Sequence, residues 1–249
     1  MKKSTQANYL YAFVLSKEKL TFGIKGIEAS QVYVITKGKV SAIVSDVQNK
    51  KIRGQRKNIA AHHHVLLNIM AQTTPLPVVF GIISNDSKDI KDFLTKNQKY
   101  LLNRLNYLSG KVEMTLKVSL NISNIFEYFI NNNIELRQAR DRVFKGNREP
   151  APADKIEIGR LFNKLLDRER IRHTDTVEKE LSDCCVEIKH LPCRNENLMI
   201  NFACLIDKNQ EKQFETSVFS AANHFDDSFS FDYNGPFIPH NFIDLDISF

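Results

Sequence analysis

The chain has 249 residues and a formal net charge of +6, with 42% hydrophobic and 26% charged residues. That length and composition allow a large buried core, so folding requires no disulfide or metal. The longest apolar run, Leu76–Ile83, falls far short of the ~20 residues of a membrane-spanning helix. The four cysteines, at positions 184, 185, 193 and 204, form no Cys-x-x-Cys pair. We therefore expect a cytoplasmic globular protein with reduced thiols and no membrane partner.

Residues 1–110 are predicted to form an N-terminal α+β domain. Runs rich in β-branched and aromatic residues predict strands at Tyr9–Leu15, Val32–Thr36, Val40–Val47 and Val78–Ile83. Apolar residues at helical spacing predict helices at Asn58–Gln72 and Ser84–Ser109. Gly110 is the predicted stop of the second helix.

Residues 111–234 follow a β-α-β-β-α-β order, which is that of ferredoxin-like domains. Alternating apolar and polar residues predict a strand at Lys111–Leu120 with one face buried, and further strands are predicted at Glu187–Cys193, Leu198–Asp207 and Phe229–Tyr233. Helices are predicted at Asn124–Asn132, from Asp154 onward, and at Phe214–Phe225. A polar connector, Lys145–Ala153, precedes the second of these helices.

The helix that is predicted from Asp154 has two distinctive features. Glu157 lies three residues after Asp154, which indicates a capping-box start. Between Asp167 and Thr176 only Ile171 is apolar, so the helix is expected either to project into solvent or to break there. In the same region acidic residues alternate with arginines, and this pattern predicts ion pairs within the helix.

Residues that could carry chemistry are few, and we predict no catalytic residue, no cofactor and no metal. His62, His63 and His64 are adjacent on a predicted helix, where side chains about 100° apart do not converge on one metal ion. No glycine-rich phosphate loop and no nucleophile motif is present. Cys204 alternates with apolar neighbours and is predicted to be a core residue. The sequence therefore favours a protein that is not an enzyme.

The basic net charge and the ferredoxin-like order leave an RNA-binding domain of the RRM type as the alternative function. Such a domain stacks bases on aromatic residues of a central strand. The corresponding strand here, Leu198–Asp207, has one aromatic residue, Phe202, and lacks the basic and glycine start. The dense basic stretch Lys50–Lys57 is more typical of a solvated connector. We therefore expect no nucleic-acid partner.

Several segments together resemble the gas vesicle GvpL/GvpF family. The resemblance begins with the Tyr-rich strand Tyr9–Val14, the strand Ala42–Val47 and one of the three helical histidines. It continues with the L-P-x-x-F-G motif, which Leu76, Pro77, Phe80 and Gly81 match. Near the C-terminus the family's G-P-W-P-P-Y-x-F-like motif is matched by Gly235, Pro236, Phe237, Pro239 and Phe242. Phe237 replaces Trp, Ile238 replaces Pro and His240 replaces Tyr, which is the pattern of a divergent member.

The resemblance implies an α+β protein of two domains, 1–110 and 111–234, of which the second has a modified ferredoxin-like fold. It implies a non-enzymatic accessory role in gas vesicle assembly and organisation, with the hydrophobic shell protein and other accessory proteins as partners. The protein would then be cytoplasmic and associated with gas vesicles. The motif residues above would serve structure or partner contact. We further expect the tail, residues 235–249, to pack back on the first domain, because it is rich in aromatic and aliphatic residues.

Overall fold

The computed structural model describes residues 6–16, 20, 22–48, 51–145 and 151–247. The strands are β1 (Gln6–Leu15), β2 (Val32–Lys37), β3 (Val40–Gln48), β4 (Leu76–Pro77), β5 (Ile83–Ser84), β6 (Lys111–Leu120), β7 (Cys185–His190), β8 (Leu198–Asp207) and β9 (Phe229–Phe237). The α-helices are α1 (Arg56–Met70), α2 (Ser87–Lys96), α3 (Gln98–Leu108), α4 (Ile125–Asn132), α5 (Ile134–Val143), α6 (Pro152–Leu181) and α7 (Glu211–Ala222). Within these described ranges, every helix is too short or too polar to cross a membrane.

The chain divides into two compact units. Unit 1 comprises Met1–Glu113 together with Pro236–Phe249, and unit 2 comprises Met114–Gly235. The sheet of unit 1 has the order β2-β3-β1-β4, and β5 also pairs with β1. β1 runs antiparallel to β3, with an irregularity in the register between Leu10 and Ala12.

The core of unit 1 forms where β1 packs against α1. Tyr9 and Tyr11 of β1 are fully buried, as are Val65 and Ile69 of α1. Tail residue Ile238 belongs to the same buried cluster. The apolar residues of α1 recur at helical spacing, and the helix therefore presents a continuous buried face to the sheet.

Two predictions for residues 1–110 were wrong in detail. Val78–Ile83 is not one strand: between residues 76 and 84 only the two-residue strands β4 and β5 pair with β1, and a turn at Phe80 and Gly81 lies between them. The predicted helix Ser84–Ser109 is two helices, because Asn97 has φ −102° and ψ 9° and separates α2 from α3. The Asn97 side chain donates to the Phe93 carbonyl at 3.0 Å. The same carbonyl also accepts the Asn97 backbone N–H at 3.0 Å, so the side chain adds a second hydrogen bond at the end of α2.

Unit 2 contains a four-stranded sheet of order β7-β8-β6-β9. β8 therefore lies between β6 and β7, which are consecutive along the chain, and β6 lies between the consecutive strands β8 and β9. Helices α6 and α7 pack against each other and against β8. β8 matches its predicted bounds of Leu198–Asp207, and Cys204 within it is fully buried as predicted.

β6 shows the predicted alternation with one exception. Its apolar residues are buried, and Lys117 is exposed, but Glu113 is also buried. The Glu113 carboxylate accepts two hydrogen bonds from Asn241 of the tail. These bonds compensate the carboxylate for its lost hydration, so that a charged residue can occupy this position.

The predictions for the helices of residues 124–181 need three corrections. α5 was not predicted, although Asn133 caps its first turn by accepting from the backbone of Glu135 and Leu136. α6 begins at Pro152 after an Ala151 N-cap without a side-chain hydrogen bond, so the capping box at Asp154 and Glu157 is wrong. Proline suits the first helical position because it lacks only an N–H that would stay unpaired there.

The third correction concerns the middle of α6. The helix does not break between Asp167 and Thr176, since it is continuous to Leu181. Nor does it stand alone in solvent, because Arg170 donates to the Leu198 carbonyl at 3.1 Å. The predicted ion pairs are present between Arg170 and Asp167 at 3.6 Å and between Arg172 and Glu169 at 2.5 Å. Part of the predicted connector, residues 146–150, lies outside the described residues, as does Lys50 of the basic stretch.

Candidate partner-binding site

The hydroxyl of Tyr9 joins three segments of unit 1. It accepts the Gly81 backbone N–H at 3.0 Å and shares a hydrogen bond with Nδ1 of His62, also at 3.0 Å. Burial raises the pKa of Tyr9, with a smaller opposing effect from the Gly81 hydrogen bond. The phenol therefore stays protonated, and it connects β1, α1 and the loop of the L-P-x-x-F-G motif.

Tyr11 organises the turn that precedes β2. Its hydroxyl accepts the Ile27 backbone N–H at 2.7 Å and lies 2.8 Å from Oγ of Ser45. A Cβ at Gly26 would lie 2.0 Å from the same hydroxyl, so only glycine fits beside it. The Tyr-rich strand thus contributes two buried phenols, each of which holds a loop in place.

His62 completes an aromatic cluster with Tyr9, Tyr11 and Phe80. Its ring stacks on Tyr11 at 5.5 Å and meets Phe80 edge-on at 5.7 Å. Burial lowers the pKa of His62 to about 4, assisted by the charges of His240 and His63 and opposed by the Val78 backbone. Its Nε2 has no partner with hydrogen-bond geometry among the described residues. His62 is consequently neutral near pH 7 and serves as a packing residue.

The L-P-x-x-F-G loop directs one side chain inward and one outward. Leu76 and Pro77 are buried in β4, and Phe80 is partly buried 6.0 Å from the Tyr9 ring. Val79, by contrast, is 68% exposed. Gly81 has φ +97°, which favours glycine, and its N–H is the one that Tyr9 accepts.

The second motif lies in the tail, where its residues divide in the same way. Pro239 and Phe242 are buried, whereas Gly235, Pro236 and Phe237 are exposed. The Phe242 carbonyl accepts from Arg104, and the Asp244 carbonyl accepts from Tyr100, both on α3. Residues Pro236–Phe249 accordingly belong to unit 1 by their contacts.

Four exposed apolar side chains define what we call the apolar surface of unit 1. Ile59 and Leu67 are 49% and 45% exposed and lie two turns apart on α1, Val79 lies on the loop, and Phe237, 42% exposed, lies on the tail. Burial lowers the pKa of His240 in the tail, and the charge of His63, midway between Ile59 and Leu67 on α1, contributes in the same direction. Phe80, next to Val79, packs on His62. Ile238, next to Phe237, lies in one buried cluster with Val65 and Leu66 of α1, and Phe80 of the loop packs against that cluster. The helix, the loop and the tail therefore meet there.

Sequence reasoning identified the two motifs but missed other residues of this site. Ile59, Leu67 and Val79 carry no motif signal, because exposed apolar residues are common on protein surfaces. His62 could have been singled out from the three histidines by its spacing, since it precedes the buried Val65 and Leu66 by three and four residues. Where the chain is described, no group of three or more His, Cys, Asp or Glu residues is placed to hold a metal ion.

The RNA-binding alternative depends on Phe202 as a stacking surface. Phe202 is only 2% exposed, and its ring stacks on His190 at 5.0 Å. A buried ring already stacked on a histidine offers no face to a base, so this strand lacks the platform that RRM-type recognition uses.

Comparison with known proteins gives a consistent result. The family model described as gas vesicle synthesis protein GvpL/GvpF matches residues 7–244. Gas vesicle protein F1 of Halobacterium salinarum is 22% identical over 98% of this chain and 95% of the relative. Gas vesicle protein F of Dolichospermum flosaquae is 24% identical over 96% of this chain and 98% of the relative.

Solved structures share the fold. The crystal structure of the gas vesicle protein GvpF from an Anabaena species superposes with a TM-score of 0.82 at 22% identity, over 97% of this chain and all of that one. The GvpF structure from Microcystis aeruginosa superposes with a TM-score of 0.79 at 24% identity, over 96% and 99% of the two chains. The mixed α and β fold predicted from sequence is thereby confirmed, as is the resemblance to the family. The chain belongs to the gas vesicle synthesis protein GvpL/GvpF family.

Proposed function

We propose that the protein acts in gas vesicle assembly by binding the hydrophobic shell protein through the apolar surface of unit 1, and that it catalyses no reaction. Membership of the GvpL/GvpF family supports the accessory role. The observation that carries the proposed contact is the exposure of Ile59, Leu67, Val79 and Phe237. Covering apolar surface contributes roughly 25 cal/mol per Å². A newly made hydrophobic subunit would gain from the same contact, because its own exposed surface promotes aggregation.

The apolar surface of unit 1 is already ordered in the free protein, so it does not have to fold when a partner binds. Val79 is fixed by the paired strands on either side of its loop and by the Gly81 hydrogen bond to Tyr9. Phe237 is followed directly by Ile238, which is buried in the core cluster. A surface that is already ordered loses little conformational entropy when a partner binds.

The non-enzymatic part of the proposal is supported by the roles that the polar side chains have. The histidine with the most strongly lowered pKa, His62, packs among aromatic rings. The phenols of Tyr9 and Tyr11 hold backbone segments and remain protonated. We propose that the protein is cytoplasmic and associated with gas vesicles, with other accessory proteins as further partners.

We also propose the domain organisation as 1–110, 111–234 and a tail at 235–249 that packs on the first domain. The strand order β7-β8-β6-β9 supports a ferredoxin-like second domain, because each of its two crossovers skips one strand. The grouping of Pro236–Phe249 with the N-terminal residues supports the role of the tail. Limited proteolysis tests this organisation, since an independently attached tail would be removed first.

Substitutions on the apolar surface test the shell-protein contact. The double variant Leu67→Asp, Val79→Asp places two charges where apolar contact is proposed. Because burying each side chain contributes about 1.5–3 kcal/mol, co-purification with the shell protein should fall at least about tenfold. Ile156→Asp is the matched control, since Ile156 is exposed on α6 of unit 2.

The cellular experiment uses a strain from which the gene is deleted and which has no redundant paralogue. Wild-type protein and the Ile156→Asp control should restore gas vesicle yield, and the double variant should not. Normal vesicles in the deletion strain would contradict the accessory role. Equal co-purification of the double variant and the control would contradict the proposed surface while leaving the role intact.

A further inference from the structure

The longest helix of unit 2 carries polar side chains in its buried row. On α6, Leu165, Glu169, His173, Val177 and Leu181 follow one another at four-residue spacing, so each lies on the same face as the next. The first and the last two are buried core residues. Glu169 and His173 occupy the two positions between them, where a helix packed on a sheet normally carries apolar residues. Local departures of this kind are expected at functional sites.

These two polar residues face a cavity rather than the core. The cavity has a volume of about 570 Å³, and it is lined by α4, the middle of α6, the end of β6 and the segment between α7 and β9. A volume of that size suits a small organic molecule, for which pockets of about 300–1,000 Å³ are usual. The polar middle of α6, unexplained by the sequence, thus forms one wall of the cavity.

The apolar walls of the cavity are aromatic. The His173 ring lies 4.8 Å from Phe225 and 4.9 Å from Phe229, and the two phenylalanines are 5.0 Å apart. Tyr128 and Phe129 of α4 line the cavity as well. Burial lowers the pKa of His173, with the neighbouring Arg172 as a second cause, so its ring is uncharged near neutral pH. Aromatic walls of this kind suit a flat apolar group.

Two arginines and two carboxylates are among the described residues that line the cavity, and one of the arginines has no direct partner. Glu169 is neutralised by Arg172, whose Nε and Nη2 lie 3.0 Å and 2.5 Å from the same carboxylate oxygen. The carboxylate of Asp226 accepts from the backbone and hydroxyl of Ser228. Arg168, a solvent-exposed residue that also lines the cavity, has no hydrogen-bond or ion-pair partner among the residues that the structure describes. A guanidinium of this kind is suited to a carboxylate or phosphate.

We propose that this cavity of unit 2 binds a small organic anion that joins a flat apolar ring to a carboxylate or phosphate. The anionic group pairs with Arg168, and the ring lies among the aromatic walls. This site is separate from the apolar surface of unit 1 and does not depend on the proposed shell-protein contact.

Calorimetric titration of the full-length protein with 1-naphthoate and with 1-naphthyl phosphate tests the proposal. Comparison of the two probes distinguishes a carboxylate from a phosphate. At least one probe should bind saturably with a stoichiometry of one. Arg168→Gln should weaken that binding about tenfold or more, because a charge-assisted hydrogen bond is lost. The neutral analogue 1-naphthalenemethanol should bind more weakly by a similar factor.

Arg160→Gln is the matched control, because Arg160 is exposed on the same helix and does not line the cavity. It should leave the affinity within about twofold, in line with the small effect of screened surface charges. Absence of saturable binding by both probes would overturn the proposal. Equal weakening by the two arginine variants, or equal affinity for the neutral analogue, would overturn it too.

Discussion

Asn241 donates two hydrogen bonds to Glu113, from its backbone N–H to Oε2 at 2.9 Å and from Nδ2 to Oε1 at 2.6 Å. Glu113 is buried, so its carboxylate depends on protein donors in place of water. Asn241→Ala removes the side-chain donor and should lower the free energy of unfolding by about 1–3 kcal/mol. Urea denaturation measures the change. Asn106→Ala, at an exposed position of α3, is the control, and the same loss in both variants would contradict a specific role for the pair.

Phe242 lies in the tail and is grouped with unit 1. Its side chain is fully buried, and truncation to alanine should lower the free energy of unfolding by about 3–5 kcal/mol. Phe144→Ala, at an exposed position after α5, is the control and should lower the free energy of unfolding by less than about 1 kcal/mol. Deletion of Gly235–Phe249 should lower the melting temperature by many degrees. An unchanged melting curve after the deletion would instead indicate an exposed tail available to partners.

Gly81 and Gly159 should respond to alanine in opposite directions. Gly81 has φ +97°, and no neighbouring atom would contact an added Cβ, so the expected loss of about 1–3 kcal/mol comes from backbone strain alone. Gly159 lies inside α6 with open space around it. Gly159→Ala should therefore raise the free energy of unfolding by about 0.5–1 kcal/mol. Thermal and urea unfolding of the two variants provide the measurement. A stabilised Gly81→Ala variant would show that the loop does not require this conformation.

Acid should destabilise the protein through His62. The pKa of this residue falls from 6.5 to about 4 on folding, so the unfolded chain binds more protons between these values and stability decreases as the pH falls. From pH 7 to pH 5 the expected loss from His62 is about 2 kcal/mol. The lowered pKa values of His173 and His240 add losses of the same sign.

The matched variants for this prediction are His62→Gln and His64→Gln. For the wild type and each variant, the free energy of unfolding is measured at pH 7 and at pH 5. The decrease between the two pH values is then compared among the three proteins, and absolute stabilities are not. His62→Gln should show the smaller loss, whereas His64→Gln, at an exposed position of α1, should keep the wild-type loss. Equal losses in all three proteins would contradict the role of His62.

The sequence predicted well those strands in which each face is either buried or exposed along its whole length, because burial then sets the pattern of apolar residues. β6 alternates because one of its faces is buried, and β8 is a continuous apolar run because both of its faces are buried. The motif residues Leu76 and Phe242 were recognised by resemblance, and both are buried. The two-residue strands β4 and β5 could not be predicted, since such short pairings are determined by β1 and not by local propensity.

The candidate sites depended on contacts between distant parts of the chain. The partner of Glu113 lies 128 residues away at Asn241, and nothing in the local sequence of either residue indicates the pairing. From the sequence alone, the polar middle of α6 is equally consistent with a projection into solvent and with a break in the helix. The structure shows instead that Glu169 and His173 there line a cavity. Tertiary contacts, and not periodicity, decided each of these cases.

Unit 1 is discontinuous along the chain, because it combines Met1–Glu113 with Pro236–Phe249. Ribosomes produce the chain from the N-terminus at about 5–20 residues per second, and domains usually fold in that order. Here residues before position 114 must wait for residues after position 235, since Ile238 belongs to the buried cluster of unit 1 and Phe242 is fully buried. Unit 2 has all of its residues available earlier. A chain that ends before residue 236 would lack Ile238 from the buried cluster and Phe237 from the proposed contact surface.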